Sequence, residues 1–177
     1  MRINAYALAA LLLRVAPLFS QSGPDPALVK GQLHWFHLSE TKQQVADSLG
    51  KPVISSDFGA DFSSWQYQIG PGDHDDFSHY LVFRKSTGKL VSVTRNFDEP
   101  RNVDNLFPEA ETSVHHFPNA AKPEFSVRLR RLSGGRVLLA MGSPKPGVPA
   151  GQIVLTLESE LKYFHGWLAT QLKAEAK

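Results

Sequence analysis

The stretch from Asp73 to His79 reads DHDDFSH and sets three aspartates and two histidines within seven residues. Carboxylates and imidazoles are ordinary ligands for zinc, manganese or calcium, and a turn can gather several of them. No established ligand spacing is matched here. Gly70, Pro71 and Gly72 lead in, giving the segment freedom where a metal site needs ligands held rigidly by outer hydrogen bonds. Like charges at Asp73, Asp75 and Asp76 repel in a closed geometry. The expectation is an open, hydrated interstrand loop that holds no metal.

The other histidines offer less. His34 and His37 stand three apart beside Trp35 and Phe36, and His115 and His116 are adjacent, so their side chains diverge. Both pairs read as packing residues with one ring nitrogen satisfied. No serine sits in a nucleophile elbow, no glycine-rich phosphate loop follows a strand, and no HExxH helix is present. The chain has no cysteine, which excludes disulfides, thiolate metal sites and a cysteine nucleophile. Triads are recognised in space and not along the chain. A small hydrolase or metal-dependent enzyme therefore stays open as the rival reading.

Two groups of residues suggest binding. Arg128, Arg130, Arg131 and Arg136 crowd one segment. On a strand, Arg128 and Arg130 share a face, with Phe125, Val127 and Leu129 on the other. That arginine face reads as a solvated surface, or as a patch for an acidic partner or anionic headgroups. Phe58 and Phe62 lie in ISSDFGADFSS, read as a loop before the first strand. Aromatics in a loop either anchor a partner or fold back under the sheet. The candidate binding residues are thus Phe58, Phe62, Arg128, Arg130 and Arg136. No catalytic residue and no cofactor is expected.

The elements that hold these residues follow from local patterns. Thr41 to Pro52 reads TKQQVADSLGKP: Thr41 and Gln44 make a capping box, Val45 and Leu49 share one face, and Gly50 and Pro52 stop the helix. Trp65, Tyr67 and Ile69 alternate with glutamines, the period of a half-buried strand. HYLVFRKSTGKLVSVTRNF predicts two strands around a turn at Gly88. FSVRLRRLSGGRVLLAMG predicts another hairpin turning at Gly134 and Gly135. QIVLTLE is a further strand, and Leu161, Phe164, Leu168 and Leu172 form the stripe of a last helix capped by Ser159.

At 177 residues, 42% hydrophobic and 20% charged, the chain has apolar matter for one ordinary core or two small ones. Residues 1–22 read as a secretory leader, with Arg2 before the apolar run from Ala5 to Leu13 and small residues at Ser20 and Ser22. That run is too short to span a bilayer, which takes roughly 20 apolar residues. Removing residues 1–22 takes Arg2 and Arg14, so the formal balance falls from +2 to zero. The basic character is then no argument for nucleic acid. Residues 23–100 carry 7 Lys or Arg against 10 Asp or Glu, and 101–177 carry 10 against 7, which makes the chain a dipole.

The helix TKQQVADSLGKP, the W-x-Y strand, the LVF run and GKLVSV together resemble the BamE (SmpA/OmlA) family over about residues 33 to 97. The resemblance implies an α+β fold, in which N-terminal helices pack on one face of an antiparallel sheet. Members are usually exported, and their best known role is as an accessory subunit in outer-membrane protein assembly. A related tandem architecture, similar to the β-lactamase inhibitor protein, binds an enzyme with its sheet. Those assembly subunits usually carry a lipid-bearing cysteine, which this chain lacks. The expectation is a BamE-like unit over 23–100, followed at 101–177 by a second hairpin, a strand and a C-terminal helix. The last part is either a degenerate second unit or an extension of the sheet. The functional expectation is a periplasmic or secreted non-enzymatic binding or scaffolding module of the bacterial envelope. It would have a protein partner, weak contact with anionic surfaces, no nucleic acid and no transmembrane span. An inhibitor-like domain covering an enzyme is the second reading among binding proteins.

Overall fold

The computed structural model describes residues 32–33, 36–68, 77–118 and 126–176. Residues 1–22, expected as a leader, lie outside the described residues, as do His34, Trp35 and the segment 69–76. A short antiparallel ladder pairs Gln32–Leu33 (β1) with Phe36–His37 (β2). The helix Lys42–Leu49 (α1) follows, with its capping box in place. The Gln44 amide donates to the Thr41 hydroxyl at 3.3 Å, and the Thr41 amide donates to the Gln44 side chain at 2.8 Å. Gly50 closes α1 at φ 79° and ψ −160°, a region essentially reserved for glycine.

Eight strands then form one antiparallel sheet. They are Ile54–Phe58 (β3), Phe62–Gln68 (β4), Phe77–Arg84 (β5), Lys89–Arg101 (β6), Thr112–His116 (β7), Ser126–Leu132 (β8), Arg136–Met141 (β9) and Ala150–Leu157 (β10). Their order across the sheet is β3-β4-β5-β6-β10-β9-β8-β7. Each half of the chain supplies a meander of consecutive strands, and the two meanders meet through their last members. Exchanging β3–β6 with β7–β10 leaves the order unchanged. At the join, Leu155 lies opposite Val93 and Ile153 opposite Arg95.

Both faces of this sheet are apolar. On the first face Leu81, Phe83, Val93, Leu138, Ile153 and Leu155 pack with Val45 of α1 and with Val103, Leu106 and Phe107 from the β6–β7 connection. On the second, Val127, Leu129, Val137, Leu139 and Val154 pack under Leu161 of the helix Leu161–Phe164 (α2) and Leu168 and Leu172 of Gly166–Glu175 (α3). Strands buried on both sides lose the alternation of a half-exposed strand. This explains the unbroken Ile153, Val154, Leu155 of β10.

The expected arrangement, N-terminal helices packed on one face of the sheet, is overturned. Among the described residues α1 is the helix that precedes the sheet, and it buries Val45 alone. Eight residues with so narrow a stripe cannot roof a sheet of eight strands. The other α-helices, α2 and α3, come last in the chain and cover the opposite face. The protein is mainly one antiparallel sheet with a small helical cover on each side. The predicted last helix is also broken: His165, at φ −137°, separates α2 from α3. No helix among the described residues is long and apolar enough to cross a membrane.

Candidate functional site

ISSDF is not the loop that its serines suggest. It is the edge strand β3, paired with β4 by the register Ile54 opposite Gln66 and Phe58 opposite Phe62. All five of its residues are exposed. Alternation puts Ile54, Ser56 and Phe58 on the face that carries α2 and α3. There the Phe58 ring stands 6.4 Å from Phe62, 6.3 Å from Tyr80 and 5.9 Å from Phe164. Phe62 lies 5.0 Å from Phe164 and 5.3 Å from Tyr163, within the range of favourable aromatic pairs.

The two phenylalanines singled out from sequence therefore belong to one cluster but play different parts. Phe62 is buried, 5% exposed, and forms its floor; Phe58, 40% exposed, forms its rim. Tyr163, 45% exposed, closes the rim from α2, and Ile54 and Val53 continue it along the edge at 52% and 71% exposure. Arg84 lies 4.8 Å over the Phe62 ring and 5.1 Å over Tyr163, and its guanidinium pairs with Glu160. Burial works against the Arg84 charge, but the Glu160 carboxylate beside it more than offsets this and holds its pKa up. The clustering of Ile54, Tyr163 and Phe164 with Phe58 was missed from sequence. It joins residues more than a hundred positions apart.

The arginines are dispersed by the fold. Arg128 is buried on the first face, not solvated, donating to Asp104 at 2.7 Å and to the Ser143 hydroxyl at 2.7 Å, with Phe107 5.2 Å beneath it. Arg130 donates to Glu111 and to the Leu106 carbonyl. Arg136 folds onto the Ser133 carbonyl and hydroxyl of its own turn. A strand pattern shows that Arg128 and Arg130 share a face. It does not show that residues 104–111 cross that face and supply their acids.

His79, the last residue of the DHDDFSH stretch, belongs to β5. It is buried opposite Arg95, whose Nε donates to its Nε2 at 3.4 Å. The remaining ligand candidates, Asp73 to Asp76, lie outside the described residues. Among the described residues no three His, Asp or Glu side chains converge on a point that would hold a metal ion. His115 and His116 do diverge: His115 faces α3, and His116 Nδ1 lies 2.7 Å from the Ser126 hydroxyl.

No protein-family model matches the chain, and no curated protein matches it. Among solved structures it is similar to a cysteine-rich secretory protein of Staphylococcus aureus, with a TM-score of 0.44 and 5% identity. The match covers 70% of this chain and 46% of that one, so the chain spans under half of that protein's length. A likeness of this size supports no statement about fold or function.

Proposed function

We propose that this chain is an exported binding or scaffolding module of the bacterial envelope, and that a protein partner docks along β3 and its aromatic rim. One observation carries the reading. Val53, Ile54, Phe58 and Tyr163 are each at least 40% exposed and adjoin one open sheet edge. Natural edge strands are usually blunted by charge, proline or a bulge, because an open ladder recruits another strand. β3 carries Asp57, but its apolar residues stay outward. Strand addition to such an edge gives affinity through the backbone and specificity through side-chain sites. The leader and the BamE-like fragments support the compartment.

Chemical cross-linking in envelope extract, with the purified chain as bait, tests the docking surface. Ile54→Lys and Phe58→Lys should lose the partner that the parent captures while still melting cooperatively, Phe58→Lys at a somewhat lower temperature because its ring contacts are lost. The same partner held equally by all three proteins would refute the β3 surface. Export is tested separately by N-terminal sequencing from the native host. A start near Gln21 or Gly23 is expected, and an intact Met1 in cytoplasmic protein would count against it.

A further inference from the structure

At the far edge of the sheet, Ser113 and His115 are two apart on β7 and so share a face. Ser113 Oγ lies 2.8 Å from His115 Nε2. On the other side of the ring, Nδ1 is 3.5 Å from Glu175 Oε1, in the last turn of α3. Gln171, one turn earlier, donates to the His116 carbonyl at 2.8 Å, and its side chain also bonds the His115 ring. A carboxylate only accepts hydrogen bonds. The nearby carboxylate favours the tautomer with its proton on Nδ1, and in that tautomer Nε2 accepts from the Ser113 hydroxyl.

We infer that Ser113, His115 and Glu175 form a nucleophilic triad at the β7 edge, able to cleave small activated acyl esters. Ser113 is the nucleophile, His115 the general base, and Glu175 the residue that fixes the ring. His115 is 4% exposed, whereas Ser113 is half-buried, so of the bonded pair the serine is the more accessible. A histidine that only clasped α3 would need no more than its Nδ1 side.

Electrostatics agree with the assignment. Burial lowers the His115 pKa, and the charges of Arg131 and His116 push the same way, against Glu175 and Gln171. The imidazole is thus a neutral base at pH 7. Arg131 stands on the same face of β8, two residues beyond Leu129, the partner of Ser113. Its guanidinium is held by Glu158, Nη2 lying 3.2 Å from Oε1, so a developing oxyanion would have to compete with that carboxylate for it. Ser113 sits within a strand and not at a helix N-terminus, so the site lacks that source of backbone donors. This restricts the substrates to esters with good leaving groups.

The step balances without a cofactor. Oγ bonds to the acyl carbon as its proton passes to Nε2, and the alcohol leaves carrying that proton. Water then adds to the acyl-serine through the same base, the carboxylic acid departs, and Oγ regains its proton.

A biotinylated fluorophosphonate, applied to the full chain and mapped by peptide mass, tests the triad. An adduct on Ser113 is expected. Ser113→Ala should abolish it, and His115→Gln should slow labelling at least about tenfold. The labelling rate of the parent should rise with pH through a midpoint below the ordinary imidazole value, and Glu175→Gln should move that midpoint lower. A folded parent unlabelled at Ser113, or Ser113→Ala labelled at the parental rate, overturns the inference. If His115→Gln does not fold, Ser113→Ala decides alone. Failure here leaves the β3 docking surface standing, because Ile54 and Phe58 lie at the opposite edge.

Discussion

Arg128 Nη1 lies 2.7 Å from Asp104 Oδ1, and Asp104 Oδ2 accepts from the Gly147 amide at 2.8 Å. One carboxylate thereby ties β8 to the β6–β7 connection and to the loop before β10. Ser143 completes the tie by accepting from Arg128 and donating to the Val148 carbonyl. Arg128 is buried and Asp104 partly exposed, so removing the carboxylate leaves a buried charge uncompensated, which is worse than removing both. Asp104→Ala should cost about 3 kcal/mol, and the double change to Arg128→Met and Asp104→Ala should recover part of that loss. Urea titration of the three proteins checks this. A double variant less stable than Asp104→Ala would contradict it.

Acid should weaken the fold in two stages. Burial lowers the pKa of His165 and, more than any other cause, that of His115. Below the ordinary imidazole value near ~6.5 the unfolded chain therefore takes up protons that the folded chain refuses. Stability should fall as the pH drops from there and stay level just above. Burial opposes the Asp104 charge, but the Gly147 amide and Arg128 outweigh it, and its pKa is lowered. Its contribution is full above about pH 4 and is lost as the pH falls through the lower folded value. Denaturation midpoints at pH 7 and 5 test the first stage, and His165→Asn should shrink the difference. Equal midpoints for the parent would refute it.

The ends of α1 can be tested separately. Thr41→Ala removes the hydroxyl that accepts from the Gln44 amide and should cost about 1 kcal/mol. Gly50→Ala meets nothing within 4 Å of the added carbon, so its cost is backbone strain alone, about 2 kcal/mol. Thermal melts of both variants check these values. A Gly50→Ala protein as stable as the parent would mean that the helix ends in another conformation.

What could be read from the sequence was local. The capping box at Thr41 and Gln44, the turns at Gly88, Gly134 and Gly135, and the apolar runs of β5, β6, β8, β9 and β10 are each set by neighbours in the chain. β3 and β7 escaped notice because an edge strand need not alternate: Ile54–Phe58 is exposed throughout, and TSVHH carries a single aliphatic residue. The pairing of β6 with β10 depends on residues some sixty positions apart, which no local pattern specifies. Separation along the chain, from 24 positions to more than a hundred, also hid the partners of the site residues. Arg128 finds its acid at Asp104, Phe58 meets Phe164, and the Ser113–His115 pair becomes notable once α3 brings Glu175 over it.

The sheet should behave as a wall between two separate cores. Leu81 is fully buried on the face of α1, and Leu168 is fully buried on the face of α3. Each leucine cut to alanine loses transfer energy and leaves a cavity, so each should cost about 3 kcal/mol. The two side chains share no cluster, and residues without common partners add independently. The double variant should therefore lose the sum, within about 0.5 kcal/mol. Such a loss approaches the whole stability of an ordinary domain, about 5–15 kcal/mol, so the titration must start from very low urea. If α3 instead steadied the whole sheet, losing Leu168 would loosen the α1 side as well. Leu81→Ala would then cost much less in that background. A coupling above about 1 kcal/mol would show that the two faces form one cooperative core and would refute the separation.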